Sequence, residues 1–286
     1  NRYLPEFVTL ICMAFQLTEP ILLIGLGGVG AKLAENAKKS LNSDCLLISH
    51  DQKDLTPENS IKISTKSVIN PSTHLIRGSA LETSEEIKEK ISNYSTIILM
   101  SNLAGKAGAG IGPVISRICK QEQKNVLSFA IMPFKFEKER IFQSGIALKR
   151  IRQDSQCTIV LDNDALLDSN PDLTQKQCYE ISNKTIECMV VSLKSSEISE
   201  STNILSTSKT ADDIQVSLKD SLRMLYEDAP PNSIKRTMLY VYGNRDIPVG
   251  VLNTISNITG GTFDENSIHM DMSSNESKVV MLSSIQ

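Results

Sequence analysis

Two short stretches of the chain are almost bare of side chains, "GLGGVG" from Gly25 to Gly30 and "AGKAGAG" from Ala104 to Gly110. Each follows an apolar run, "ILLI" or "TIILM", and each leads into residues of helical periodicity. Glycine at a strand-to-helix turn permits a tight reversal and lets backbone N–H groups close on an anion at the positive end of a helix, which is the chemistry of phosphate binding. The first stretch satisfies GxGxxG, a pattern shared by nicotinamide enzymes, flavoproteins and adenylating enzymes. Asp51 ends the next apolar run, where an acid would hold a ribose, so a dinucleotide or adenylate site is open at this point. The second stretch is expected to be a loop that opens a helix at Gly112, with Pro113 in its first turn. Two such loops on neighbouring strand ends can grip one polyphosphate from both sides. The alternative is a helix start built of small residues for packing, although packing gives no evident reason for so long a run. Lys106, inside the second loop, either pairs with a phosphate as a point charge or points into solvent.

The elements that must position these loops follow from the surrounding periodicity. "ILLIGLGG" reads as a strand, and Val29, Leu33, Ala37 and Leu41 after it fall at helical spacing. "DCLLISHD" is the next strand, "SEEIKEKISN" a polar-faced helix, and "STIILMS" a fully buried strand of the parallel type. Helix "GPVISRICKQEQ", strand "NVLSFAIMPF", helix "KERIFQSGIALKRIRQ" and strand "CTIVLDND" continue the alternation to about Leu167. An α/β fold with a doubly wound, Rossmann-like parallel sheet is therefore expected. After the turn cluster "DSNPDL", one long and largely buried helix runs from Thr174 to about Ser195, with Cys178, Ile181, Thr185, Cys188 and Val191 on its inner face. The Ser/Thr-rich "KSSEISESTNILSTSKTADD" reads as loop, and "DIQVSLKDSLRML" as helix. Beyond "DAPPNS", strand "RTMLYVYG", helix "VGVLNTISNI" and strands "SIHMDMS" and "SKVVMLSS" make a small C-terminal α+β module. The expected organisation is a nucleotide-binding unit over 1–195, a connecting loop and helix over 196–232, and the C-terminal unit over 233–286.

Composition sets the remaining bounds. The 286 residues are 40% hydrophobic and 22% charged, as in an ordinary globular protein rather than a disordered one. A net charge of -3 gives no general attraction to nucleic acid or to an acidic membrane, so neither partner is expected. Six cysteines without a CxxC pair, most of them in apolar runs, fit free thiols in a reducing cytoplasm. The early run "FVTLICMAF" is too short to span a bilayer and follows only one basic residue, Arg2; an added strand or short helix is expected there, with Met13 as an alternative start.

Taken together, the second glycine loop, "MPFKFEKER" and "TIVLDNDALL" resemble the tubulin/FtsZ family, in its FtsZ-like prokaryotic or archaeal form. The family's signature GGGTG(T/S)G aligns with Ala104 to Gly110, its KPFxFEGxxR with the second stretch, and its IPNDKLL or DNEAL with the third. The resemblance runs from about Leu22 to Leu193. It implies GTP or GDP as the bound nucleotide, with magnesium beside it, and a head-to-tail filament formed with itself or with a fully equipped relative. It further implies that Gly27, Gly28 and Gly30 face the phosphates, together with Gly105, Lys106, Ala107, Gly108, Ala109 and Gly110. Asp51 would lie near the nucleotide, Glu137 on the ribose, Arg140 beside it, and Asn163 and Asn183 on the guanine.

The departures from the family bear on chemistry. Ala107 and Ala109 stand where the signature has hydroxyls, Lys106 replaces a glycine, Lys32 replaces a usual Asn, and Lys184 follows Asn183 where FtsZ has an Asp. The family's hydrolytic site is completed by an acidic loop, NxDxxD, from the neighbouring subunit. The best alignment places Thr207, Lys209 and Asp212 there, so Asp212 and the adjacent Asp213 are the expected catalytic acids and a lysine replaces the first. A nucleotide-binding cell-division or cytoskeletal protein with weak or absent GTPase follows. The alternatives are a Rossmann-type dinucleotide or ATP enzyme and a scaffold that binds no nucleotide.

Overall fold

The computed structural model describes residues 14–66, 69–196, 198–209, 213–242, 268–271 and 278–285. The described chain begins with β1 (Ala14–Phe15) and continues into β2 (Ile21–Leu26), β3 (Asp44–Ser49), β4 (Ser60–Lys62), β5 (Thr96–Asn102), β6 (Asn125–Met132) and β7 (Cys157–Asp162). Strands β2 to β7 are mutually parallel, in the spatial order β4-β3-β2-β5-β6-β7. Strand β2 is buried along its whole length, and its side chains alternate between two cores: Leu23 meets Leu47 and Ile98 on one face, while Leu22 and Ile24 meet Leu46 and Ile97 on the other. Both faces being covered is why the strand is apolar throughout rather than alternating.

Helices α1 (Gly27–Leu41), α6 (Asn163–Ser169) and α7 (Gln175–Ser192) cover the first face. On the second lie α2 (Thr73–Glu82), α3 (Ser84–Ile91) and α4 (Lys106–Gln121), and α5 (Lys138–Asp154) packs beside α4 through Ala147 and Ile151. Helix α1 stops where Asn42 takes a left-handed conformation at φ 49, and α7 starts with a reciprocal Thr174–Gln177 capping box. Helix α7 is the long helix the periodicity predicts, but its buried face is Cys178, Ser182, Thr185, Ile186, Met189 and Val190, and the expected Val191 is exposed.

The Ser/Thr-rich stretch is not loop throughout, as its composition suggests. It contains β8 (Ile198–Ser199), antiparallel to β1, and β9 (Thr202–Thr207), which joins β7 in parallel. Its polar side chains mostly find partners inside the protein: Thr185 Oγ1 donates to Thr207 Oγ1 at 3.0 Å, and Asn203 Nδ2 donates to the Ser199 carbonyl at 3.1 Å, while the buried Ser206 Oγ has none. Satisfied in this way, a polar strand can be buried. Helix α8 (Ile214–Asp228) follows, then β10 (Ile234–Tyr242), β11 (Ile268–Asp271) and β12 (Lys278–Ile285). Strand β12 pairs antiparallel with both β9 and β10, so among the described residues the C-terminal strands continue the main sheet, in the order β11-β10-β12-β9-β7. The expected helix "VGVLNTISNI" lies outside the described residues.

Helix α4 also corrects the expectation from sequence. It begins at Lys106, not Gly112, and Pro113 lies inside it rather than in its first turn. Packing does account for the small residues. A Cβ on Gly108 would stand 2.2 Å from the Asn102 carbonyl oxygen, one on Gly110 3.0 Å from Ile76, and one on Gly112 3.1 Å from Ile151. The helix is pressed between the end of β5, α2 and α5, and only bare backbone fits. Pro113 has no N–H to give the carbonyl four residues earlier, and Arg77 of α2 donates to that Ala109 oxygen instead, at 3.2 Å.

Candidate functional site

Strands β2 and β5 are adjacent and parallel, pairing Gly25 with Met100 and Leu26 with Ser101, so both glycine stretches leave the same end of the sheet. They meet there. Gly27 has φ +65, and a Cβ on it would lie 2.9 Å from the Ala107 Cβ. A Cβ on Gly25 would strike the Gly30 carbonyl at 2.5 Å and one on Gly30 the Met100 carbonyl at 2.4 Å, so these two glycines let α1 seat against the sheet. Gly28 is exposed, and Gly105 is the N-terminal cap residue of α4. Neither α1 nor α4 has a side-chain cap or an acid in its first turn. Two uncapped helix starts thus abut, their leading amides free of side-chain partners and their dipoles favouring an anion.

An open cleft of about 700 Å³ lies over the second of these starts. Its walls include His50 after β3, Thr73 and His74 of α2, Asn102 to Lys106, Arg140 and Gln143 of α5, and Tyr179 of α7. Lys106 is tied down, donating to Asn70 Oδ1 at 2.6 Å and to the Pro71 carbonyl at 3.0 Å, so it fastens the segment before α2 to the cleft edge. Ala107, Gly108, Ala109 and Gly110 are buried within the first turns of α4, with Ala109 reaching the cleft. Glu137 precedes α5; its carboxylate accepts from the Phe134 N–H at 3.2 Å and from Arg140 at 2.7 Å, and it is only 10% exposed against 60% for Arg140.

The two asparagines expected on the base are placed differently. Asn163 is fully buried, donating to the Met132 carbonyl at 3.0 Å and accepting from Ser182 at 2.6 Å. Its amide fastens β6 to α7, and reaching a base edge would require both bonds to break. Asn183 lines a separate groove between α1 and α7 with Lys32, Asn36 and Lys184, and its Oδ1 is buried without a hydrogen-bond partner. Asp51 caps the short helix Gln52–Asp54 and pairs with Lys53 at 3.0 Å, a hydrogen bond that holds its carboxyl below the usual range.

Sequence reasoning passed over His50, Asp54 and Tyr179. His50 Nδ1 is buried without a partner, and burial pushes the imidazole down against the pull of Asp51 and Asp54. Asp54 lies across the first glycine stretch, its Oδ1 2.8 Å from where a Cβ on Gly28 would be. Tyr179 stands one turn before Asn183 on α7, with its ring edge-on to Phe134 at 5.5 Å. The signal was present: His50 and Asp54 flank Asp51, and spacing of four puts Tyr179 on the Asn183 face.

Of the two expected catalytic acids, one falls among the described residues. Asp212 lies outside the described residues, and Asp213 accepts from the Gln215 N–H at 2.7 Å as the cap of α8. Thr207 is buried in β9, and Lys209 pairs with Asp172, just before α7, at 3.1 Å. Because β9 runs parallel to β7, Lys209 and Asp213 leave the sheet at the same end as the glycine stretches.

Known proteins support the same architecture. Residues 72–171 match the Tubulin/FtsZ family, GTPase domain. Cell division protein FtsZ 1 of Halobacterium salinarum is 24% identical over 184 residues, covering 60% of this chain and 46% of that protein. The curated relatives with the strongest matches are covered over only 25% to 46% of their own lengths. Among solved structures, an empty FtsZ dimer from M. jannaschii superposes with a TM-score of 0.72 at 17% identity, over 94% of this chain and 89% of that one. CetZ2 from Haloferax volcanii, as a GTPgS-bound protofilament, gives 0.63 at 14% identity over 93% of each chain. With the glycine stretches adjoining at one sheet end and α7 behind them, the chain has an FtsZ-like fold, and its residues 72–171 are similar to the GTPase domain of the tubulin/FtsZ family.

Proposed function

We propose that the protein binds a guanine nucleotide across the two glycine stretches and assembles head to tail, with itself or with a fully equipped relative, hydrolysing GTP weakly when alone. The observation that carries this is the contact between two uncapped helix starts, the second of them under an open cleft, an arrangement suited to a polyphosphate. Gly27, Gly28, Gly105 and Lys106 would receive the phosphates, Arg140 and Glu137 would lie beside the ribose, and Tyr179 offers an aromatic face for the base. Among the described residues no group of three or more His, Cys, Asp or Glu could hold a metal, so magnesium would rely mainly on phosphate and water oxygens. No helix among them is long and apolar enough to cross a membrane.

The acids that would act on a neighbour's nucleotide are better sought between α7 and β9. Strand β8 pairs with β1, which precedes β2, and the Ser201 carbonyl accepts from Thr158 at the start of β7, so this segment lies at the sheet end opposite the glycine stretches. Ser195 and Glu200 lie there, Glu200 exposed, and in the sequence they share the spacing of NxDxxD with Glu197, which lies outside the described residues. Weak turnover is expected because Ala107 and Ala109 offer phosphate no hydroxyl and because the segment is short. Calorimetry with GTP, GDP, ATP and NAD, followed by turnover assays, tests the proposal. Guanine nucleotides should bind tightest, hydrolysis should be slow, and Glu200→Gln should remove it while Asp213→Asn does not. Tighter binding of NAD or ATP would refute the guanine assignment, and loss of turnover in Asp213→Asn alone would return the acids to the segment before α8.

A further inference from the structure

The cleft reaches Gly105 and Lys106, but its walls do not include Gly27 or Gly28. Asp54 lies there instead. Its Oδ1 is 2.8 Å and its Oδ2 3.9 Å from the Cβ positions of Gly28 and Gly27 respectively. The carboxylate is held in this orientation by Ser49, a fully buried residue at the end of β3, whose Oγ donates to Asp54 Oδ2 at 2.8 Å. Lys53 does not cancel the charge at contact, because it forms its ion pair with Asp51. A negative group therefore stands at the start of α1, where the helix dipole favours one and no other acid occupies the first turn.

We propose that Asp54 sets the phosphate affinity of the first glycine stretch: its carboxylate holds the place of an anion, and a phosphate enters only against that charge. The proposal rests on the nucleotide assignment above and deepens it by naming the residue that discriminates against a bare polyphosphate. Two like charges a few ångströms apart at a partly screened site repel strongly enough to cost at least about tenfold in affinity. The same charge steadies the empty helix start, which explains why Ser49 is committed to it.

The test uses the full chain at low ionic strength in EDTA, titrated calorimetrically with inorganic pyrophosphate and with GDP. Asp54→Asn removes the charge and keeps an acceptor for Ser49. Asp54→Ser serves if the first variant does not fold, and Glu58→Gln controls for net charge. Both Asp54 variants should bind pyrophosphate at least about tenfold tighter than the parent, with Glu58→Gln within about twofold of it. Equal or weaker pyrophosphate affinity in the Asp54 variants overturns the proposal, as does the absence of pyrophosphate binding to every protein. Tightening for pyrophosphate without GDP binding to any variant would leave it standing and overturn the guanine-nucleotide assignment instead.

Discussion

Arg77 substitutes for a missing backbone N–H, and that substitution can be measured. Pro113 leaves the Ala109 carbonyl inside α4 without its helical donor, and the Arg77 guanidinium supplies one at 3.2 Å. Arg77→Met keeps much of the apolar stem but orphans that oxygen in a partly buried place, which costs about 1–3 kcal/mol. Pro113→Ala restores an N–H aimed at the same carbonyl, so Arg77→Met should then cost about 1 kcal/mol less or better, the surplus being the coupling between the two residues. Urea unfolding of the parent, both single variants and the double variant gives this coupling directly, provided the slopes with denaturant agree. An Arg77→Met cost that is the same in both backgrounds would show that the guanidinium is a surface charge and that α4 tolerates the orphaned carbonyl some other way. The cycle also bears on the site, because the first turns of α4 carry the second glycine stretch.

Two further outcomes follow from the same geometry. Gly108→Ala would drive a methyl group into the Asn102 carbonyl oxygen 2.2 Å away, so it should destabilise by about 2 kcal/mol or more in urea unfolding; a loss under about 0.5 kcal/mol would mean that α4 can lift from β5 freely. Asp228 is pushed up to about 8 by burial and then by the neighbouring Asp162 charge. A raised carboxyl stabilises the folded state fully below its unfolded value near 4 and loses that contribution as pH rises through about 8. Asp228→Asn should therefore match the parent near pH 4 and exceed it by on the order of 2 kcal/mol near pH 9, and parallel stability-pH curves would contradict the assignment.

Legibility of the fold tracked burial. Strands β2, β5 and β6 and helix α7 could be read because apolar side chains announce them, whereas the adjacency of β2 and β5, which joins the two glycine stretches, is set by the sheet order. Strand β9 could not be read, since Asn203 and Thr207 look like loop residues until their partners on β8 and α7 are in place. With the stretch taken as loop, nothing fixed which end of the sheet Lys209 and Asp213 occupy. The start of α4 was misplaced because Pro113 looked like a first-turn residue, and its cure, Arg77, lies 36 positions earlier on α2. At the site, residue types were legible and their commitments were not. Asn163 has the right amide for a base but spends it on Met132 and Ser182, and Lys106 spends its ammonium on Asn70 and Pro71.

The glycines themselves are weaker support for a phosphate site than their number suggests. The Cα faces of Gly25, Gly30 and Gly108 point at carbonyl oxygens at 2.2 to 2.5 Å, so a protein that bound nothing would still need glycine at each. Gly27 differs, because its positive φ and its contact with Ala107 join the two stretches. What packing does not require is that both helices begin without a capping side chain, at one sheet end and in contact, the second of them under a cleft carrying Arg140 and Tyr179. Helix starts left uncapped side by side cost stability unless something completes them. At α1 the nearest candidate within the chain is Asp54, and at α4 there is none among the described residues. Under the proposed nucleotide assignment, α4 is the half of the site open to an anion and α1 the half where Asp54 already stands in its way.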